Sequence, residues 1–135
     1  MAAPDAAKDI TDYLNTLGYT DPVSIEILTP SPINQYAVVS YAGKNVKTHG
    51  GTGAGGSGPV LDETYLQIQS RNMSRQTAKA NLLVIVNALD GKCDFTVNGT
   101  NYTYIQEMSV ARPFAKQTDG SSIFIWECLC QSKRL

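Results

Sequence analysis

The sequence predicts one domain of the α+β class: a mainly antiparallel or mixed sheet with two helices packed on one face and a long glycine-rich loop. Three observations predict it. Apolar residues recur at helical spacing in only two stretches, 5–17 and 74–91, with alternating stretches between and after them. Hairpin signals dominate the second half, above all Asn98-Gly99 between two alternating runs. Finally, a chain of 135 residues without an internal repeat has the size of a single core.

Along residues 5–17, Ala6, Ile10, Tyr13, Leu14 and Leu17 sit three and four apart, and Gly18 follows where a left-handed cap residue belongs. This is an amphipathic helix. Val23, Ile25 and Ile27 then alternate with Ser24 and Glu26, giving a half-buried strand that should end near Thr29, because Pro30 and Pro32 cannot donate to a ladder. Tyr36 to Ala42 reads as a second strand.

From Gly43 to Pro59 the composition changes, with six of the 11 glycines at 50, 51, 53, 55, 56 and 58. Ordering such a stretch costs about 1–2 kcal/mol of backbone entropy per residue with little side-chain burial to offset it, so 43–59 reads as a flexible loop. Long loops inside small domains are usually functional or disordered.

Alternation returns from Thr64 to Ser70, with Leu66 and Ile68 on one side and Tyr65 and Gln67 on the other. Ser74 precedes a run in which Ala78, Leu82, Ile85 and Leu89 form one stripe, closed by Gly91. Phe95 and Val97 lead into Asn98-Gly99, and Thr100 to Ile105 leads away from it, which makes a hairpin. An extended, irregular stretch over 107–117 holds Pro113, the mark of an edge or a break. After the Asp119-Gly120 turn, Ile123, Ile125 and Leu129 oppose Phe124, Trp126, Cys128 and Cys130; a strand apolar on both faces belongs at the centre of the sheet.

With 11 Lys plus Arg against 12 Asp plus Glu, no global charge excess draws nucleic acid or anionic lipid to the protein. The longest apolar run, Leu82 to Val86, is far short of the ~20 residues that span a bilayer, and residues 1–15 lack the pattern of a secretory signal. An intracellular protein without a membrane partner is expected. Three cysteines, 93, 128 and 130, suit reduced thiols better than a disulfide framework.

Candidate chemistry is sparse. Gly53-Ala54-Gly55-Gly56-Ser57-Gly58 fits G-x-G-x-x-G in letters only, because Pro59 and a strand follow where a phosphate-binding helix should begin. His49, the one histidine, stands beside Gly50 and Gly51, where a catalytic base would be poorly held. The three cysteines lack the paired spacing and fourth ligand of a structural zinc site. Asp62 and Glu63 are adjacent on a strand and point to opposite faces, which does not make an acid/base pair. No enzyme, cofactor or metal is therefore expected.

What remains are surfaces. Arg71, Arg75 and Lys79 recur every four residues around the start of the second helix and would share a face, either as a docking surface or as an ordinary solvated flank. Lys44 and Lys47 form a second basic spot at the base of the glycine loop. Together with His49, Gly50, Gly53, Gly55 and Gly58 these are the candidate subunit or partner contacts.

The run Tyr65-Leu66-Gln67-Ile68-Gln69-Ser70-Arg71, followed by a helix ending Val84-Ile85-Val86-Asn87-Ala88-Leu89-Asp90-Gly91, resembles the tail-terminator and minor-capsid proteins of long-tailed bacteriophages. Phe95-Thr96-Val97-Asn98-Gly99, Arg112-Pro113-Phe114, Asp119-Gly120 and the last strand Ile123-Phe124-Ile125-Trp126-Glu127 extend the likeness in layout over most of the chain. The resemblance implies a structural virion protein, located at the neck and assembled in the host bacterial cytoplasm. It would form a hexameric ring on the head-proximal end of a tail tube, stop tube growth and offer a joining surface to the head. Its partners would be the tail-tube protein and a head-completion or stopper protein, with DNA only as passing cargo in the channel. Residues 43–59 would project toward a neighbour or the channel, and the family has no catalytic residues to transfer. The alternatives are another neck component, a head-completion or stopper protein, or a small ligand-binding module.

Overall fold

In the computed structural model, residues 5–49 and 60–134 are described. The chain runs α1 (Ala6–Asn15), β1 (Val23–Ile25), β2 (Gln35–His49), β3 (Val60–Asn72), α2 (Arg75–Leu89), β4 (Cys93–Val97), β5 (Thr100–Lys116) and β6 (Ser122–Arg134). The strands form one sheet in the order β1-β2-β3-β6-β5-β4. The only parallel pair in that order is β1 with β2, so the sheet is mixed, and β6, the last strand along the chain, is central as its two apolar faces require.

Each helix starts on a side-chain cap. The Asp5 carboxylate accepts from the Lys8 amide at 3.1 Å and the Ser74 hydroxyl from the Thr77 amide at 3.3 Å, satisfying donors that the first turn leaves unpaired. Ile10 and Leu14 of α1 and Ala78, Leu82, Ile85 and Leu89 of α2 are buried in a single cluster with Tyr36, Val38, Leu66, Ile68, Tyr102, Ile105, Phe124, Trp126, Cys128 and Cys130. Cross-strand register explains this membership. Val38, Ile68 and Trp126 occupy one row, and Leu66 pairs with Cys128, so these side chains emerge on the same face of the sheet.

On the opposite face Ile123, Ile125 and Leu129 are also buried. Ile125 lies between Gln69 and Arg112, and Leu129 between Tyr65 and Gln106. At the β6 start the 26–34 segment is tied over this face. Arg71 donates to the carbonyls of Ile33 (2.7 Å), Pro32 (3.1 Å) and Thr29, while Gln35 exchanges bonds with Thr29.

Several boundaries differ from the sequence reading. The first strand stops at Ile25 instead of near Thr29, because Glu26 takes φ +69° and turns the chain before the prolines are reached. The second strand does not stop at Ala42: the backbone of 43–49, expected in the 43–59 loop, continues β2 and pairs with β3 from Asn45↔Thr64 to His49↔Val60. Val46 and Thr48 in this segment are good strand formers, and pairing satisfies their backbone groups. The rest of that expected loop, residues 50–59, lies outside the described residues. Between Ser40 and Asn45 the register slips, which places the extra residues in a bulge. The stretch expected to be irregular over 107–117 belongs to β5, whose register against β6 shifts four times between Tyr102 and Ala115. The hairpin is as expected, with Asn98 at φ +51° and Gly99 at φ +79°, the pair of positive values that a two-residue turn demands.

Candidate assembly surface

The sheet is longer at its centre than at its borders. On one side β1 covers β2 only from Tyr36 to Val38; on the other β4 covers β5 only from Thr100 to Tyr104. Where each short strand ends, a single carboxylate takes the next outward amide. Glu26 accepts from the Ser40 amide at 3.3 Å and its hydroxyl at 2.8 Å. Asp90 accepts from the Glu107 amide at 3.0 Å, just past the bonds that Gly91 and Lys92 make with Ile105. Among the described residues both borders therefore carry open strand beyond a defined stop, and open strand is a template for pairing with another chain.

The β5 border is also apolar. Met108, Val110 and Phe114 are 50%, 67% and 59% exposed. Beside Phe114 lies a hollow of about 250 Å³ lined by Arg75, Pro113, Lys116, Ile123 and Phe124, with the Arg75 guanidinium 5.5 Å from the centre of the Phe124 ring. Pro113 sits where the sequence reading expects it, in a part of β5 that among the described strands pairs with β6 alone. Sequence reasoning missed this border as a candidate. Its signal was the Met108 and Val110 alternation continuing past the last residue that the hairpin needs.

The structure separates the basic residues grouped by spacing. Arg71 belongs to β3 and is buried against the loop carbonyls named above, so it shares no face with Arg75 and Lys79. Spacing by four suggested a shared face, but a helix face needs all members on the helix, and α2 begins only at Arg75. Arg75 and Lys79 are exposed on α2. The backbones of Lys44, Lys47 and His49 lie in the distal half of β2, with Lys47 in register with Asp62 and His49 with Val60. Gly50, Gly53, Gly55 and Gly58 are outside the described residues.

Two sets of buried titratable groups are held by hydrogen bonds within the chain. Asp9 is buried, accepting from the Tyr102 hydroxyl and, at 2.9 Å, from the Asn98 side-chain amide, which ties α1 to the β4–β5 hairpin. Burial first, and then the bond to Asp9, hold the Tyr102 phenol far above its usual range. Cys128 and Cys130 are buried side by side, and the hydrogen bond between them, with burial, pushes the Cys128 thiol up, away from the thiolate that metal binding or nucleophilic attack requires. Cys93 is exposed. Among the described residues no group of three His, Cys, Asp or Glu is placed to hold a metal ion, and no helix is long and apolar enough to cross a membrane.

No protein-family model and no curated protein matches the chain. Its fold is similar to a solved chain from the virion of a native gene transfer agent particle, with a TM-score of 0.62 at 12% identity, over 99% of this chain and 100% of that one. At that identity the likeness is one of fold. It runs from end to end in both chains, so the helix and strand layout is shared as a whole rather than as a common hairpin or half-sheet.

Proposed function

We propose that this protein is a structural component of a phage-like virion and that it works as a tail terminator: a hexameric ring at the head-proximal end of the tail tube that ends tube polymerisation and joins the tail to the head. The observation that carries the reading is the end-to-end likeness of fold to a chain of a gene transfer agent virion. The two unlike open borders support it, since a ring is built from heterologous contacts, one surface of each copy meeting a different surface of the next. In this reading the tail-tube protein and a head-completion or stopper protein dock on the two rims, and DNA passes through the channel as cargo. The distal half of β2, with Lys44, Lys47 and His49, together with residues 50–59 reaches toward a neighbour or the channel. No catalytic step is assigned.

Native mass spectrometry over a concentration series, with and without purified tail tubes, tests this. A species at six times 14.6 kDa, about 88 kDa, alone or capping tubes, is expected of a closed ring. A chain that stays monomeric in solution and fails to bind tube ends would overturn the terminator reading.

A further inference from the structure

The β1 and β5 borders are matched in height, direction and chemistry, and on β1 the Val23 and Ile25 carbonyls accept within the chain, from the Asn15 side-chain amide at 3.4 Å and the Ile27 amide at 2.9 Å. Val23 pairs with Tyr36, Tyr36 with Ser70, Ser70 with Phe124 and Phe124 with Pro113, so one row of the sheet begins on β1 and ends on the open part of β5. Following the pair directions across the sheet, β1 and β5 run opposite ways. Two copies placed side by side in the same orientation therefore bring β1 of one alongside β5 of the next, running antiparallel, without inverting either copy.

Chemistry agrees with direction. Residues 20–28 on the β1 border carry Asp21 and Glu26 and no Lys or Arg, and they expose Ile25 and Ile27, the latter at 67%. The facing border exposes Met108, Val110 and Phe114, and its foot carries the exposed Lys116 and Arg75. Arg112 on this border is paired with Glu127, while the Glu107 carboxylate, which accepts from the Trp126 indole at 2.7 Å, keeps its negative charge. The Asp21 carboxylate of one border thus comes level with the positive foot of the other, Lys116 and Arg75.

We infer that a second copy of this chain occupies each border: the β1 border of one subunit packs against residues 108–116 of its neighbour. Asp21 then faces Lys116, and Ile25 faces Val110. With the strands placed along the ring axis, a closed ring, which has no rise between subunits, sets equal rows at equal height. This inference rests on the ring reading above and goes beyond it by naming the surfaces that meet.

The test is directed cross-linking in the full chain with Cys93→Ser, which removes the exposed thiol. The pair Ile25→Cys with Val110→Cys, oxidised after assembly, is expected to give a ladder of covalent oligomers on a non-reducing gel, while either cysteine alone leaves monomer. Asp21→Lys and Lys116→Asp are each expected to lower the assembled fraction several-fold, and the two together to restore it. Circular dichroism melts within a few degrees of the parent show that each variant is folded. A ring seen by native mass spectrometry without the ladder, or symmetric dimers from a single cysteine, overturns the inference and leaves the ring reading standing. Absence of any ring, alone or on tube ends, removes both.

Discussion

Tyr102 shows how one side chain joins distant parts of the chain. Its hydroxyl donates to Asp9 of α1 from within the sheet, and Asn98 at the hairpin turn donates to the same carboxylate and to Asp12 at 2.9 Å each. Tyr102→Phe leaves a buried carboxylate short of a donor, and a loss of about 1–3 kcal/mol is expected, read as a lower urea midpoint at unchanged m-value. The same group sets an alkaline limit. The folded phenol is held above its unfolded value of 10.0, so its contribution is complete below about pH 10 and is lost as pH rises beyond it. Thermal melts should therefore fall from about pH 10 upward, and less steeply in Tyr102→Phe. Asp119 acts in the acid range: bonds from the Ser121 hydroxyl and amide lower its carboxyl, so that contribution is present above the ordinary carboxylate range and fades as pH drops through the lowered value. Arg71 and Arg75 make a second contrast. Arg71→Met strips donors from three loop carbonyls and should cost at least about 2 kcal/mol, whereas Arg75→Ala loses an exposed cation–ring contact worth about 0.5–1 kcal/mol; paired denaturation curves check both. Sequence alone could not tell these arginines apart, because their separation by four straddles the end of β3 and the start of α2.

At the scale of elements, α2 carries apolar residues on two faces. Leu82 is fully buried while its neighbour Leu83 is 40% exposed and Val84 53%. Leu82→Ala is expected to cost about 2–5 kcal/mol through the cavity it leaves, and Leu83→Ala less than about 0.5 kcal/mol in the isolated chain, as thermal unfolding can measure. At the hairpin, Gly99→Ala forces a Cβ into φ +79° and should cost about 1–2 kcal/mol. Because His49 and Val60 are register partners, replacing residues 50–59 by Asn-Gly should close a two-residue turn there and keep the fold, while ring formation is expected to fall in native mass spectra. Helices and the hairpin were legible because each is local: a cap, a stripe, a turn pair. The bulges in β2 and β5 were not, since an extra residue breaks the period-two pattern without leaving a residue type to mark it, and Glu26 gave no sign of its positive φ.

For the whole molecule, the sheet order is what composition and periodicity could not supply. The two apolar faces of β6 announced a central strand, yet nothing in residues 122–134 names β3 and β5 as the neighbours it separates. The apolar β5 border was readable only as an irregular extension, because whether Met108 and Val110 meet solvent depends on how far β4 reaches along the sheet. A chain ended after Lys116 is expected to show no cooperative thermal transition, since it lacks the strand on which both halves pair. The placement of β6 has a consequence for how the protein is made. β6 is synthesised after the β2–β3 and β4–β5 strands, so until it joins them each half has an inner edge without its partner. The outer borders gain their common height only when β6 zips between the halves. In the proposed ring, competence to assemble thus depends on β6, and a copy without it has no aligned pair of borders with which to join a neighbour.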